Sequence, residues 1–304
     1  MSDFINDAAD LYTILDVMRY GISQARAMNL HYGHGTDNAE DDISALVYEL
    51  LYLPWDLDRS FLQARLTAVE KKLLIEGLEK RIVHRVPVPY ITHKAYFCEM
   101  SFYVDERVLI PRSPIAELIQ QQFTPWVEPQ QVTRILDLCT GSGCIAIACC
   151  EAFPEALVDA VDISADALAV AAINRDHYHL QDQLTLIQSD GFDQIPHVLY
   201  DIIVSNPPYV ASEAMLTLPA EYHHEPKLAL EAKDQGLILV KRMLHQAAQY
   251  LAENGILVIE VGLSEEALIA AYPEVPFVWL DFERGGEGVF LLTALEVRKY
   301  FGAS

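Results

Sequence analysis

The chain reads as an α/β protein with a doubly wound, mostly parallel sheet, preceded by a smaller helical part. Three observations predict this. A short apolar run, Arg134-Ile135-Leu136-Asp137-Leu138, is followed by the turn Gly141-Ser142-Gly143 and then by an apolar helical stretch from Ile145 to Phe153. Buried strand, tight glycine turn and helix in that succession open a nucleotide-binding sheet. Further strand-like runs, Ala156 to Val161, Leu184 to Gln188 and Ile202 to Ser205, each lead into a polar residue, and upstream of residue 85 apolar residues recur at helical spacing instead.

Taken in order, the stretch from Phe4 to about His84 spaces Leu11, Ile14, Leu15, Met18 and Ile22, then Leu46, Leu50 and Leu51, then Leu62, Leu66, Val69 and Leu73. This predicts three or four amphipathic helices. Pro87-Val88-Pro89-Tyr90 punctuates the chain, and Ala95 to Val108 alternates like a hairpin through Phe97, Phe102, Tyr103 and Val108. The expected organisation is therefore a helical domain over 1–86, a hairpin linker over 87–112 and a sheet domain over 113–304, closing on strands near Val275 to Leu280 and Gly288 to Leu292. No internal repeat or low-complexity segment is visible.

The chemistry is expected at the strand ends. Gly141 and Gly143 let the backbone approach a ligand closely, but the third glycine of the dinucleotide fingerprint is missing. Asp162 follows the second strand, where a carboxylate accepts ribose hydroxyls and disfavours a phosphorylated ribose. Asp137, Asp162, Asp190 and Asn206 all fall at carboxyl ends of strands, where open α/β sheets bind ligands. Asn206 opens the run Asn206-Pro207-Pro208-Tyr209. The prolines lack N–H groups, so this stiff turn keeps its carbonyls free; Asn206 adds a side-chain acceptor and Tyr209 an aromatic face. Two converging acceptors suit an NH2 group on a planar amide, aniline or base. Alone, the run is equally an ordinary rigid Pro-Pro loop. Beside a nucleoside site it points to group transfer, most simply of a methyl group from S-adenosylmethionine, whose sulfonium is favoured near Asp137 and aromatic faces.

Asp137-Leu-Cys-Thr-Gly-Ser-Gly-Cys-Ile-Ala, Val161-Asp162-Ile-Ser and Asn206-Pro-Pro-Tyr resemble the class I methyltransferases that modify the side-chain amide of a protein glutamine. Of its two close branches, Tyr32-Gly-His-Gly-Thr-Asp-Asn, Ala64-Arg-Leu-Thr and Phe102-Tyr-Val-Asp-Glu-Arg-Val-Leu-Ile-Pro-Arg-Ser-Pro-Ile resemble the one acting on large-subunit ribosomal protein three. The release-factor branch more usually has Pro-Arg-Pro-x-Thr-Glu where this chain has Pro111 to Ala116. The likeness runs from about Tyr32 to Phe290. It implies a seven-stranded class I methyltransferase sheet, an N-terminal helical domain for substrate recognition, and a role supporting ribosome assembly. It also implies S-adenosylmethionine contacts at Cys139, Thr140, Gly141, Ser142, Gly143 and Asp162, with Asp190 and Asn206 beside them. Acceptor contacts are implied at Asn206, Pro207, Pro208 and Tyr209. The release-factor branch often has a Trp after Ser-Asp to pack near the adenine; here Gly191 and Phe192 follow, so Phe192 or an apolar neighbour is expected to cover the base.

Composition and charge narrow the partners. With 304 residues, 52% of them apolar, the chain can bury a large core. No apolar run approaches the roughly 20 residues that cross a bilayer, and Met1 to Asp7 lacks the pattern of a secretory signal, so a cytoplasmic enzyme is expected. The five cysteines, four of them Cys139, Cys144, Cys149 and Cys150, read as buried thiols rather than metal ligands. His31 and His34 lack a partner at helical spacing and read as a structural or substrate-facing loop. A net charge of −23, with acidic runs at Asp3 to Asp10 and Glu40 to Asp42, would repel nucleic acid and attract a basic protein, as ribosomal proteins are. A DNA adenine methyltransferase shares the Asn-Pro-Pro-Tyr run but needs a basic recognition surface. A non-catalytic nucleoside-binding scaffold is the remaining alternative. His223, His224 and Glu225 either line a peptide channel or, the reading preferred here, form a solvated turn.

Overall fold

The computed structural model describes residues 10–302, so the expected helical start at Phe4 and most of the acidic run from Asp3 lie outside the described residues. Two compact units are formed: one of the residues up to Lys94 together with Pro219–His224, the other of Ala95–Leu218 and the chain from Glu225 onward.

The first unit holds α1 (Ile14–Ala27), α2 (Ala39–Leu50), α3 (Ala68–Ile82) and the short α4 (Val88–Thr92). Thr13 and Thr67 open α1 and α3 as capping boxes with Asp16 and Glu70, each pair satisfying two backbone N–H groups that a helix start leaves over. Val17, Ile43, Leu46, Val47, Leu74 and Leu78 form a core with no solvent exposure. One expected stripe is corrected here. Leu66 precedes the Thr67 cap, so Val69 and Leu73 turn outward, and the face α3 buries is Leu74, Ile75, Leu78 and Ile82. Within this unit Arg81, itself buried, pairs with Asp42 at 2.6 Å and lies 3.6 Å from Glu221, which also accepts the His31 N–H and Arg85. Burial raises the Glu221 pKa, but these donors and cations more than offset it and hold the group below the ordinary carboxylate value.

The second unit begins with the hairpin β1 (Ala95–Phe97) and β2 (Met100–Phe102), turned by Cys98 and Glu99 at positive φ. It continues through α5 (Ile115–Gln120), β3 (Arg134–Leu138), α6 (Cys144–Ala152), β4 (Leu157–Asp162), α7 (Ala165–His177), β5 (Leu184–Gln188) and β6 (Tyr200–Ser205). The short β7 (Val210–Ala211), α8 (Lys227–Leu230) and β8 (Glu231–Ala232) follow, then α9 (Ile238–Ala247), β9 (Leu251–Glu260), α10 (Glu265–Ala271), β10 (Val278–Trp279), β11 (Val289–Thr293) and α11 (Ala294–Phe301). The expected boundaries at 86 and 112 both move. α4 belongs to the helical unit, whose first segment runs to Lys94, and the hairpin packs within the second unit, where Phe97 and Phe102 are buried in the same cluster as Ile115, Phe123 and Ile135.

Seven strands form one sheet in the order β10-β11-β9-β6-β3-β4-β5. β9, β6, β3, β4 and β5 run parallel, and β11 is antiparallel to β9 and β10. Helices cover both faces, and successive strand residues therefore enter different cores: Ile135, Ile202, Val204 and Val258 one, Leu136, Leu138, Ile203 and Leu257 the other. Each such fully buried aliphatic side chain contributes roughly 1.5–3 kcal/mol relative to exposure. The chain leaves β3 toward β4 and β5 on one side and returns with β6 on the other. That reversal opens a crevice at the carboxyl ends of these strands. No helix among the described residues is long and apolar enough to cross a membrane.

Candidate active site at the strand ends

Asp137 shares the face of β3 that carries Ile135 and is completely buried beneath the start of α6. Its Oδ2 accepts the Thr140 hydroxyl at 2.6 Å and the Ala146 N–H at 3.2 Å, while Oδ1 has no partner. It therefore braces the glycine turn from below and does not line the cavity above it. Burial pushes its carboxyl up to about 7, against the pull of those two donors. Unfolded, the group ionises near 4. Between about 4 and 7 the folded chain keeps a proton that the unfolded chain has lost, so this group's contribution to stability falls as pH rises through that window and is flat above it. Asp137→Asn cannot ionise. In urea unfolding without added ligand, the stability of wild type relative to Asp137→Asn should drop by up to about 4 kcal/mol from pH 4 to pH 7; a difference independent of pH would refute the shift.

Above Asp137 the backbone turns through Cys139 (φ 63°), Gly141 (φ 55°) and Gly143 (φ 81°). Gly143 caps α6 in the left-handed region, and a Cβ there would sit 3.2 Å from that of Ala171. Asp162, the last residue of β4, accepts the N–H groups of Gly141 and Ser164, both at 2.9 Å, tying the two loops together. Burial raises its pKa, opposed by those backbone donors. Asn174 of α7 fixes the turn from behind: its amide donates to the Ser142 carbonyl at 2.8 Å and to the Tyr103 carbonyl, and its oxygen accepts the Tyr103 N–H.

These elements wall a cavity of about 220 Å³, against the roughly 10–15 Å³ that one water needs on the same measure. Cys139, Thr140, Gly141, Ser142, Asp162, Asp190, Asn206 and Pro208 line it, so the structure brings most of the expected site residues together. Asp137, Gly143, Pro207, Tyr209 and Phe192 are not part of the lining. For Phe192 this corrects the expectation that it covers a base. It is 2% exposed and stacks on Tyr250 with ring centroids 4.8 Å apart, because the turn after Ser189 directs it into the core beneath the sheet. The apolar lining comes instead from Val108, Leu109, Ile163, Leu228 and Leu239.

Several residues of the site carried no local signal. Arg107 and Arg112 line the cavity, but each is already neutralised: Arg107 forks onto Asp105, holding that carboxyl down at about 2, and Arg112 forks onto Glu225 at 2.6 and 2.8 Å. Glu225 is thus buried and not part of a solvated turn. It also accepts the Ile110 N–H at 3.1 Å, and neighbouring Pro226, Leu228 and Ala229 roof the cavity. His223 is exposed, whereas His224 meets the His84 carbonyl within the helical unit. His34 is buried with its ring 4.6 Å from that of Tyr222, and among the described residues no group of His, Cys, Asp and Glu is arranged to hold a metal. Asp190 pairs with Arg242 of α9 at 2.6 Å, which also holds Asp193.

The lining suits a cationic nucleoside. Its arginines are compensated by Asp105 and Glu225 and its Asp190 by Arg242, while the Asp162 carboxylate is met by backbone N–H groups. A bare Cβ at Gly141 would meet no atom within 4 Å, leaving the turn open for close approach.

The ribosomal protein uL3 glutamine methyltransferase of Francisella tularensis is 48% identical to this chain over 299 residues, 98% of this chain and 94% of that protein. That of Xanthomonas campestris is 47% identical over 290 residues, 95% and 94% of the two chains. The chain belongs to this methyltransferase family. The family described as Methyltransferase small domain matches residues 119–222, which span the glycine turn and the Asn206 loop. Among solved structures, the one titled "Crystal structure of hMettl16 catalytic domain in complex with MAT2A 3'UTR hairpin 1" aligns with a TM-score of 0.50 over 82% of this chain and 89% of that one, at 16% identity. That likeness concerns the fold alone; in this chain the strands ending at Asp162 and before Asn206 flank β3 on either side.

Proposed function

We propose that this enzyme transfers a methyl group from S-adenosylmethionine to the side-chain amide nitrogen of a glutamine in ribosomal protein uL3. The observation that carries the reading is the 47–48% identity over nearly the whole chain to proteins of that name, in a chain whose Asn206-Pro207-Pro208-Tyr209 run begins in the lining of the strand-end cavity. Cys139 to Ser142 and Asp162 would hold the cofactor, with Asp190 at the rim. When bound, S-adenosylmethionine supplies an electrophilic methyl carbon on a sulfonium.

The remaining work falls to the chain's own groups. An amide nitrogen is a weak nucleophile because its lone pair is delocalised into the carbonyl. Asn206 Oδ1 and the Pro207 carbonyl each accept one N–H of the glutamine amide, which fixes the nitrogen and turns its lone pair toward the cavity. Such orientation lowers a barrier by several kcal/mol without a strong base. No base is needed before attack, since a methylated amide cation sheds its proton readily. The acidic chain, at −23, favours encounter with a basic ribosomal protein over nucleic acid, and we assign substrate recognition to the helical unit. The reaction would serve ribosome assembly in the cytoplasm.

The test offers labelled S-adenosylmethionine with purified uL3, a peptide-chain release factor and duplex DNA in parallel, and locates label by mass spectrometry. Label on a uL3 glutamine alone is the expected result. Label on the release factor would move the enzyme to the other branch, and label on DNA would overturn the reading of the Asn206 loop.

A further inference from the structure

The Asn206-Pro207-Pro208 segment cannot be held by a sheet ladder, because both prolines lack an N–H. Its position must therefore be set at its two ends. On the upstream side Ser205 is fully buried and its hydroxyl donates to the Leu138 carbonyl at 2.7 Å, anchoring β6 to β3 beside the glycine turn. On the downstream side everything converges on Tyr209. Its hydroxyl donates to Glu260 Oε1 at 2.9 Å, and its carbonyl accepts the Ser264 hydroxyl at 3.1 Å. Its ring lies so close to Gly262 (φ 46°) that an added Cβ would come within 2.6 Å of a ring carbon.

Glu260 is the last residue of β9 and only 5% exposed. Burying a carboxylate costs several kcal/mol unless its oxygens are met by donors. Here hydroxyls meet both: Tyr209 on Oε1, and Ser113 on Oε2 at 2.5 Å. Ser113 lines the cavity and also accepts the Ile115 N–H at 3.2 Å, so it is fixed in turn. An apolar residue would fill a strand end at lower cost. A double acceptor is required only if both hydroxyls must stay where they are.

We propose that Glu260 is the positioning residue of the acceptor loop, acting through the Tyr209 hydroxyl, with Ser113 steadying its second oxygen. Tyr209 on this account works as the loop's anchor, and the acceptor carbonyls of Asn206 and Pro207 are aimed by a hydrogen bond made three and two residues away. The inference rests on the methyl-transfer reading for its kinetic consequence and on this geometry alone for its structural one.

Glu260→Leu and Tyr209→Phe should each lower kcat on uL3 by about tenfold or more, as expected when a reacting atom is held slightly off line. Calorimetric affinity for S-adenosylmethionine should stay within about twofold. Because the two act as one unit, the double variant should be no slower than the slower single one. Glu260→Gln keeps an acceptor for Tyr209 and offers an N–H to Ser113, so it should recover most of the rate. Hydrogen exchange at Val210 and Ala211 should quicken in Glu260→Leu without any substrate present. Wild-type turnover in Tyr209→Phe, or a parallel loss of rate and cofactor affinity in Glu260→Leu and Glu260→Gln alike, would overturn the proposal. Unchanged exchange would overturn it whatever the substrate, whereas a wild-type enzyme inactive on uL3 with quickened exchange in the variant would count against the substrate reading and in favour of the anchor.

Discussion

Asn206→Ala should lower the rate of methyl transfer to uL3 by about a hundredfold to a thousandfold, the range seen when one preorganised polar contact to a reacting group is removed. Asn206 follows directly on β6 and lines the cavity, while the residue before it is locked to β3 by the Ser205 hydroxyl. Truncation therefore deletes one amide acceptor without loosening the strand that carries it. The remaining carbonyl of Pro207 cannot fix the orientation of an NH2 group alone, since rotation about a single hydrogen bond is nearly free. Binding of S-adenosylmethionine, which the proposed reading assigns mainly to Cys139 to Ser142 and Asp162, should change little. Single-turnover rates with saturating uL3, together with calorimetry for the cofactor, separate the two. A variant with unaltered turnover would remove Asn206 from the chemistry, and one that lost cofactor affinity in the same proportion would make it a cofactor residue.

Asp162→Ala should act in the opposite way, weakening S-adenosylmethionine by about a hundredfold, or roughly 3 kcal/mol, through the loss of charge-assisted acceptors for the ribose. Part of that loss is indirect. The carboxylate also holds the N–H groups of Gly141 and Ser164, so its removal leaves the glycine turn and the start of α7 without their shared clasp. Asp162→Asn keeps one acceptor oxygen and should fall between the two. Calorimetric titration of the cofactor into the three proteins measures this directly. Equal affinities would exclude Asp162 from the cofactor site, and the rate at saturating cofactor should recover toward wild type in Asp162→Asn.

The strands were legible because each is a short apolar run with a polar residue at its carboxyl end, and burial on both faces leaves a parallel strand little other composition. The cavity wall was legible for the related reason that Asp162, Asp190 and Asn206 follow such runs. Phe192 was not, because an aromatic residue in a turn gives no sign of whether it faces a ligand or folds under the sheet; here Tyr250 supplies the surface it packs on. In α3 the apolar spacing was read one residue out of phase. The Thr67 cap resets the helix, and only packing against Leu46 and its neighbours distinguishes Leu73 from Leu74. The hairpin was legible as a hairpin but its packing was not, since Phe97 and Phe102 signal burial without saying in which core.

What the chain determined by itself is the local chemistry: which peptide units lack an N–H at Pro207 and Pro208, which turn needs the left-handed backbone at Gly143, and which carboxylates end strands. These depend only on residues adjacent in sequence. The tertiary structure decided the pairings between residues far apart, Arg112 with Glu225, Asn174 with Ser142 and Glu260 with Tyr209. Nothing in a lone buried carboxylate or amide names its partner. A hydrogen bond needs two atoms within about 3 Å of each other, and only the parallel pairing of β9 with β6 in one sheet, with α7 laid across the glycine turn, brings such atoms together.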